Sequence, residues 1–255
     1  MIESLQSPHV ARVRALLSSK KERAEAAKFI AEGLQSVREA LKISGAIEVL
    51  YLSSSGRERL VKAVGELPDI NVVDVSDKVS DAMSDAITSQ GIVAICHMKS
   101  REVSEISKLA DKHIIYLNEI QDPGNAGTIL RSADAMNLAA IVTSPGSVDF
   151  YSPKVVRSTA GSLWHIPVFD GVTIAQLQEQ LSRHILYVLD GASKEKLDEI
   201  DFSKPAIWIF GNEARGVQEN IRDAKRISIL MPGNAESLNL AAAASIVMYQ
   251  ISREL

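Results

Sequence analysis

The stretch HIIYLNEIQDPGNAGTILRSADAMN, residues 113–137, changes character in its middle. It opens as an apolar, β-branched run of strand length, turns at Asp122-Pro123-Gly124, and from Asn125 to Met136 shows helical spacing. A strand that breaks into a helix start leaves free backbone N–H groups and the positive end of the helix dipole at the junction, which favours an anion. Thr128, Arg131 and Asp134 fall on neighbouring faces of that helix. Two readings are open at this point: a capped helix with a surface Arg131–Asp134 ion pair, or a loop that docks a phosphate. Asn137 suits the left-handed residue that closes such a helix.

The same alternation continues on both sides. Downstream come LAAIVTS, a helix around 153–162, IPVF, a helix over 174–183, ILYVLD, AIWIF, RISILM and a last helix from about 236 to 253. Apolar strands alternating with helices predict a mostly parallel sheet covered on both faces, with ligands beyond the strand C-termini. Upstream, Phe29, Ile30, Leu34, Val37 and Leu41 predict one helix face within EAAKFIAEGLQSVREALKIS. After it come strand IEVLYLS, a helix over 57–66, strand NVVDVS, a helix over 77–86 and strand GIVAICHM. This divides the chain into a small α/β domain over 1–98, a polar linker over 99–110 and a larger α/β domain over 111–255.

The 255 residues, 46% hydrophobic and 24% charged, suit a globular protein with a sizeable core. No apolar run has the length a membrane span requires, and MIESLQSPHVARVRALLSSKK lacks a signal core, so a cytoplasmic location without membrane contact is expected. Cys96 is the sole cysteine, which excludes an internal disulfide and a cysteine-rich zinc site; the five histidines lack ligand spacing, and no metal is expected. Net charge is −4, yet Arg12, Arg14, Lys20, Lys21, Arg23 and Lys28 face only Glu22 and Glu25 in their segment. That cluster reads either as a solvated helix face or as a patch that tracks phosphates.

Gly-Asn occurs three times, at 124–125, 211–212 and 233–234, each time just after an apolar strand. Neither a G-x-G-x-x-G fingerprint nor a P-loop is present, which removes the usual signatures of NAD and ATP. The second and third loops read FGNEARGV and ISILMPGNAESLNLAAAA. Each alone is an ordinary strand-to-helix turn.

Taken in order and spacing, D-P-G-N-x-G-x-x-x-R-[ST]-A, G-x-E-x-x-G and I-x-M-P-G-x-x-x-S-L-N resemble the three motifs of the SpoU/TrmH family of RNA ribose 2′-O-methyltransferases. The segment KKERAEAAKFIAEGLQSVREAL resembles the family's small RNA-substrate-binding domain. The resemblance implies a C-terminal α/β trefoil-knot methyltransferase domain, a homodimer, and S-adenosyl-L-methionine (SAM) as methyl donor. Carried over by motif, Gly211, Ile229, Leu230, Met231 and Leu238 would line the SAM site, and Asn125, Arg131, Glu213, Ser237 and Asn239 would form the active site. Ala241 to Ala244 are small enough for close helix packing at a dimer contact.

Arg131 is the family's proposed base, an awkward assignment for a guanidinium with a pKa above about 12; phosphate binding is the alternative. Glu213 would anchor Arg131 or hold its loop, while Arg215 has no assigned role and is expected near solvent or RNA. The third motif departs from the family's I-P-M at Leu230, which keeps the N–H that proline lacks. With RNA as substrate, Arg12, Lys20, Lys21 and Arg23 become candidates for positioning phosphates. Ribosomal RNA is the expected target; transfer RNA, or a knotted RNA-binding protein without activity, are the alternatives.

Overall fold

The structure is a computed structural model that describes residues 1–217 and 221–254. In chain order its first half contains α1 (Pro8–Ser18), α2 (Lys20–Ala26), β1 (Lys28–Glu32), α3 (Leu34–Leu41), β2 (Ile47–Leu52), α4 (Ser54–Val64), β3 (Val72–Asp74), α5 (Asp77–Ala82) and β4 (Ile92–His97). It continues through β5 (Ile114–Leu117), α6 (Pro123–Ala135), β6 (Ile141–Thr143), α7 (Pro153–Ser158), β7 (Val168–Phe169), α8 (Ile174–Gln180), β8 (Ile185–Leu189), β9 (Ala206–Phe210), β10 (Lys225–Ile227) and α9 (Leu240–Glu254). Two compact units result: residues 1–100 with 149–164, and residues 101–148 with 165–255. Among the described residues no helix is long and apolar enough to cross a membrane.

The first unit is built on a sheet of order β1-β4-β2-β3, in which β4 runs antiparallel to β1 and β2, and β3 parallel to β2. One expectation fails here: Phe29 and Ile30 belong to strand β1, not to a helix. Phe29 and Ala31 pack in one core cluster and Ile30 in another, the period-two alternation of a strand buried on both faces. Ala27 at φ 51° closes α2 and Gly33 at φ 81° opens α3, so two left-handed residues isolate five residues whose apolar spacing fits either periodicity. Cys96 is fully buried in β4, where burial pushes its thiol pKa up, and it packs as a small apolar residue.

The same unit includes α7, which packs against β1. Residues 149–164 therefore fold with the N-terminal elements although they lie far along the chain. Nor is the polar segment 99–110 a bare linker: Val103–Leu109 forms a 3-10 helix whose Ile106 is fully buried in the core of the second unit.

The second unit holds a six-stranded sheet of order β10-β8-β9-β5-β6-β7, every neighbouring pair parallel. Strands β5 and β9 are buried at every residue, as expected of a parallel sheet covered on both faces. Leu117 pairs with Phe210, Val188 with Ile209 and Leu189 with Ile227, so the loops that follow β5, β8, β9 and β10 all leave from one edge of the sheet. Helix α9 packs on α6, with Ala241 and Ala244 buried and Ser132 Oγ 2.8 Å from Ser245 Oγ. Ala241 and Ala244 thus serve packing inside the chain, whereas Ala242 is exposed and Ala243 half-buried. Asn137, at φ 55°, follows α6 in the left-handed conformation expected for its C-terminus.

Candidate active site

Three loops at the sheet edge are joined by a relay of side-chain hydrogen bonds. Helix α6 starts with Asp122 as N-cap, its Oδ1 accepting from Asn125 N at 2.7 Å, and Pro123 at the first turn where a missing N–H costs nothing. Asn125 Nδ2 donates to Glu213 Oε1 at 3.3 Å in the β9 loop, and Asn125 Oδ1 accepts from Asn239 Nδ2 at 3.0 Å. Asn239 in turn accepts at Oδ1 from Ala241 N (2.9 Å) and Ala242 N (3.2 Å), capping α9. Residues more than a hundred positions apart are thereby held in one register.

Glu213 does not reach for Arg131. Its carboxylate accepts from Asp122 N at 3.1 Å and Gln121 N at 3.3 Å besides Asn125, so it fixes the loop that precedes α6. Burial pulls the Glu213 pKa upward, but the backbone N–H groups of Glu213, Asp122 and Gln121 together with the Asn125 amide outweigh it and hold the carboxyl below its ordinary range.

Arg215 separates from Glu213 and pairs with Glu119 at 2.8 Å. Asn212, nearly buried, donates to Glu119 O at 2.9 Å and accepts from Ala214 N at 3.0 Å and Arg215 N at 3.3 Å. Asn234 is exposed and makes no side-chain hydrogen bond among the described residues. The recurring Gly-Asn pair is therefore three separate solutions rather than one motif.

These loops enclose a cleft of about 470 Å³, a size typical of small-molecule sites. Asn125, Gly211, Glu213, Ile229, Met231, Ser237, Leu238 and Asn239, all named from the motifs, are brought together in its lining. Leu230 is not among them: its side chain is 63% exposed and outside the lining, because the chain alternates as it leaves β10 and sends Ile229 and Met231 inward instead. Gly211 is required for a reason the sequence does not display. A Cβ there would sit 2.2 Å from Gly216 C and 2.4 Å from Val217 N, where the loop folds back on itself through Gly216 N to Asn212 O at 2.8 Å.

The cleft also takes Leu189, Asp190 and Gly191 from the end of β8, which sequence reasoning missed. The register of β8 between β9 and β10 puts them there, and their only local signal is an acid-glycine turn after an apolar strand. The backbone N–H of Ala192 is the largest cause that lowers the Asp190 pKa, and Arg226 at 3.0 Å adds to it. The apolar Leu189, Phe210, Ile229, Met231 and Leu238, with glycines 191, 211 and 216, offer flat contact and close backbone approach. That composition fits a flat heterocycle with a polar tail, as SAM is.

Arg131 lies outside the cleft lining, exposed on α6, six residues or about 9 Å along the helix from Asn125. Asp134 does not pair with it: that carboxylate faces His165 at 2.8 Å. Arg131 has no ion pair among the described residues.

Of the four basic candidates in the first unit, Arg23 must be withdrawn as a phosphate contact. It is 5% exposed, with Nε and Nη2 on Asp149 Oδ2 at 2.9 and 2.6 Å and Nη1 on Leu16 O at 2.7 Å. Arg12 pairs with Glu48 at 2.5 Å, Lys21 with Glu25 at 3.7 Å, and Lys20 is exposed without an ion pair among the described residues.

Comparison with known proteins agrees with this geometry. Residues 112–249 match the model of the SpoU rRNA Methylase family, and residues 7–94 that of the MRM3-like substrate binding domain. The chain is 32% identical over 243 residues, 92% of each chain, to the 23S rRNA (guanosine(2553)-2′-O)-methyltransferase RlmP of Bacillus subtilis. It is 26% identical over 260 residues, 94% of this chain and 88% of the relative, to the 23S rRNA (uridine(2479)-2′-O)-methyltransferase of Streptomyces viridochromogenes. Among solved structures, the AdoMet-bound rRNA methyltransferase from Sinorhizobium meliloti superposes with TM-score 0.86 at 31% identity, covering 100% of this chain and 97% of the other. With its sheet, its three interlocked loops and matches over both halves, the chain belongs to the SpoU rRNA methylase family.

Proposed function

We propose that this protein transfers a methyl group from SAM to a ribose 2′-hydroxyl of ribosomal RNA. The observation that carries the reading is the relay from Glu213 through Asn125 to Asn239, which ties the three motif loops around one cleft. When bound, SAM supplies an electrophilic methyl on a sulfonium; the chain supplies alignment and a route for one proton.

Asn125 is held at both ends of its amide, so its orientation is set before substrate arrives. Ser237, exposed in the cleft wall, offers a hydroxyl to the ribose. Glu213 is a poor proton acceptor, since three donors already occupy its carboxylate and lower its basicity. Arg131, exposed and without a carboxylate partner among the described residues, offers its guanidinium to clamp a phosphate of the RNA. The proton of the 2′-hydroxyl then leaves to that phosphate or to water.

The finer expectations join the same reading. The apolar Ile246 and Tyr249 that α9 leaves exposed support a homodimer. Membership of the family supports a trefoil knot in the second unit, and Arg12, Lys20 and Lys21 remain exposed for RNA in the first. A cytoplasmic location belongs to the same proposal.

The test pairs two measurements on Arg131→Ala: equilibrium titration with SAM, and transfer of labelled methyl to ribosomal RNA from cells lacking the gene. SAM affinity should hold while transfer falls by about 10² or more. Near-wild-type transfer would remove Arg131 from the mechanism, and a wild-type protein that binds no SAM would end the proposal. Mapping 2′-O-methyl sites in cells with and without the gene identifies the nucleotide.

A further inference from the structure

The relay at the cleft does not end at Asn239. Ala241 donates its N–H to Asn239 Oδ1, and one turn along α9 its carbonyl accepts from Ser245 Oγ at 2.8 Å. The Ser245 hydroxyl has one proton, engaged there, so across the 2.8 Å contact between Ser132 Oγ and Ser245 Oγ the donor is Ser132. Ser132 belongs to α6, the helix that also carries Asn125. The bonds therefore run from Ser132 through Ser245, Ala241, Asn239 and Asn125 to Glu213, at 2.8, 2.8, 2.9, 3.0 and 3.3 Å. In every link the donor points toward the Glu213 carboxylate, an order in which neighbouring bonds reinforce one another.

This joins α6 to α9 at two points. Asn125 and Ser132 are seven residues apart, two turns on one face of α6 and about 10 Å along its axis. Asn125 meets α9 at its cap, and Ser132 meets it in its second turn. One tie leaves a helix able to turn about its axis; a second fixes the rotation. The buried residues of α9 beside the second tie are Ala241 and Ala244, whose small side chains interlock less than long ones would.

Arg131 is the residue before Ser132, exposed and about 100° round the helix from it. It has no ion pair among the described residues, so the helix that carries it sets its direction. At the roughly 5.5 Å radius of a helix with its side chains, a rotation of about 10° moves an outer group by about 1 Å. Misplacement on that scale costs up to about 10² in rate.

We propose that Ser132 and Ser245 are a positioning pair for Arg131: their hydrogen bond closes the relay into a ring between α6 and α9 and so sets the direction in which the guanidinium leaves α6. The inference rests on Arg131 acting in methyl transfer, as proposed above, and it links the Ser237–Asn239 wall of the cleft to that arginine.

The test compares Ser132→Ala, Ser245→Ala and the double variant of the full chain. The readouts are transfer of labelled methyl to ribosomal RNA from cells lacking the gene, SAM titration and thermal melting. Each single variant should lower kcat about tenfold while KM for SAM stays within about twofold, and the double variant should be no more than about twofold below the singles, since one bond is lost in all three. Added to Arg131→Ala, Ser132→Ala should cost less than about twofold, because no guanidinium is left to aim. A kcat for Ser132→Ala within about twofold of wild type, while Arg131→Ala loses transfer, would overturn the pair alone. So would a tenfold loss that persists in the Arg131→Ala background, or a raised KM for SAM at unchanged kcat. Near-wild-type transfer by Arg131→Ala would overturn the reading of Arg131 and the pair with it.

Discussion

Replacing Glu213 by alanine tests the relay where it is most concentrated. The carboxylate gathers Gln121 N, Asp122 N and Asn125 Nδ2 at 3.1 to 3.3 Å. Those distances exceed the roughly 2.8 Å of strong charge-assisted bonds, and the residue is exposed, so each contributes about 0.7 kcal/mol rather than the 1.5–3 of a buried pair. Three such bonds sum to about 2 kcal/mol of ordering around the cleft, equivalent to about 30-fold in kcat/KM for methyl transfer. The assay is incorporation of labelled methyl into ribosomal RNA, with thermal melting beside it. The midpoint should move little, because Glu213 touches loops and not the buried strands. Glu213→Gln keeps one acceptor oxygen and should lose only about fivefold. A kcat/KM for the alanine variant within about threefold of wild type would refute the claim that the three loops depend on this carboxylate. Because the folded pKa of Glu213 is depressed, its contribution is present above the ordinary carboxyl value of 4.5 and is lost as pH falls through the folded value, so neutral-pH assays see it in full.

Gly211→Ala should destabilise the SAM loop by about 1–3 kcal/mol and abolish measurable SAM binding at concentrations that saturate wild type, since its Cβ must displace Gly216 backbone at 2.2 Å; unaltered affinity would contradict the loop geometry. Arg23→Ala leaves Asp149 buried without its partner and should cost about 3 kcal/mol in urea unfolding while changing the salt dependence of RNA binding little; the reverse pattern would return Arg23 to the RNA surface. Burial lowers the pKa of His113 and of His184, against the Phe202 and Lys112 carbonyls that each ring faces, and His184 Nδ1 is buried without a partner among the described residues. Unfolding therefore takes up protons below the ordinary value of 6.5: stability is full above it and falls as pH drops toward the folded values, by up to about 1.4 kcal/mol per pH unit for each histidine. Urea midpoints that are flat between about pH 5 and 7.5 would oppose that account.

Much of the second unit was legible in the chain because its signals are local. Apolar runs such as AIWIF and HIIYL announce buried strands, and Asp122-Pro123 marks the start of α6 whatever surrounds it. Lys28–Glu32 was not legible: five residues with apolar side chains on both faces satisfy a helix or a strand, and β4, more than sixty residues away, supplies the partner that decides. Arg23 shows the same limit in electrostatics. Its neighbours in sequence make it one of a basic run, whereas Asp149, 126 residues later, makes it an internal ion pair.

The motifs, read as a resemblance, reached eight residues of the cleft by number but not Leu189, Asp190 and Gly191, and they also named Leu230 and Arg131, which lie outside its lining; the type of each residue constrained what it could do. Which groups face one another belongs to the tertiary structure alone. Glu213 was named with two candidate roles, to anchor Arg131 or to hold a loop, and only the position of β9 beside β5 brings it to Gln121 and Asp122. Gly211 was assigned to admit a ligand, and the fold shows it is first of all needed where its own loop crosses. The physical reason is the same in each case: propensity, capping and turn chemistry act over a few residues, while hydrogen bonds and packing between strands brought together from distant parts of the chain depend on a register that no short segment carries.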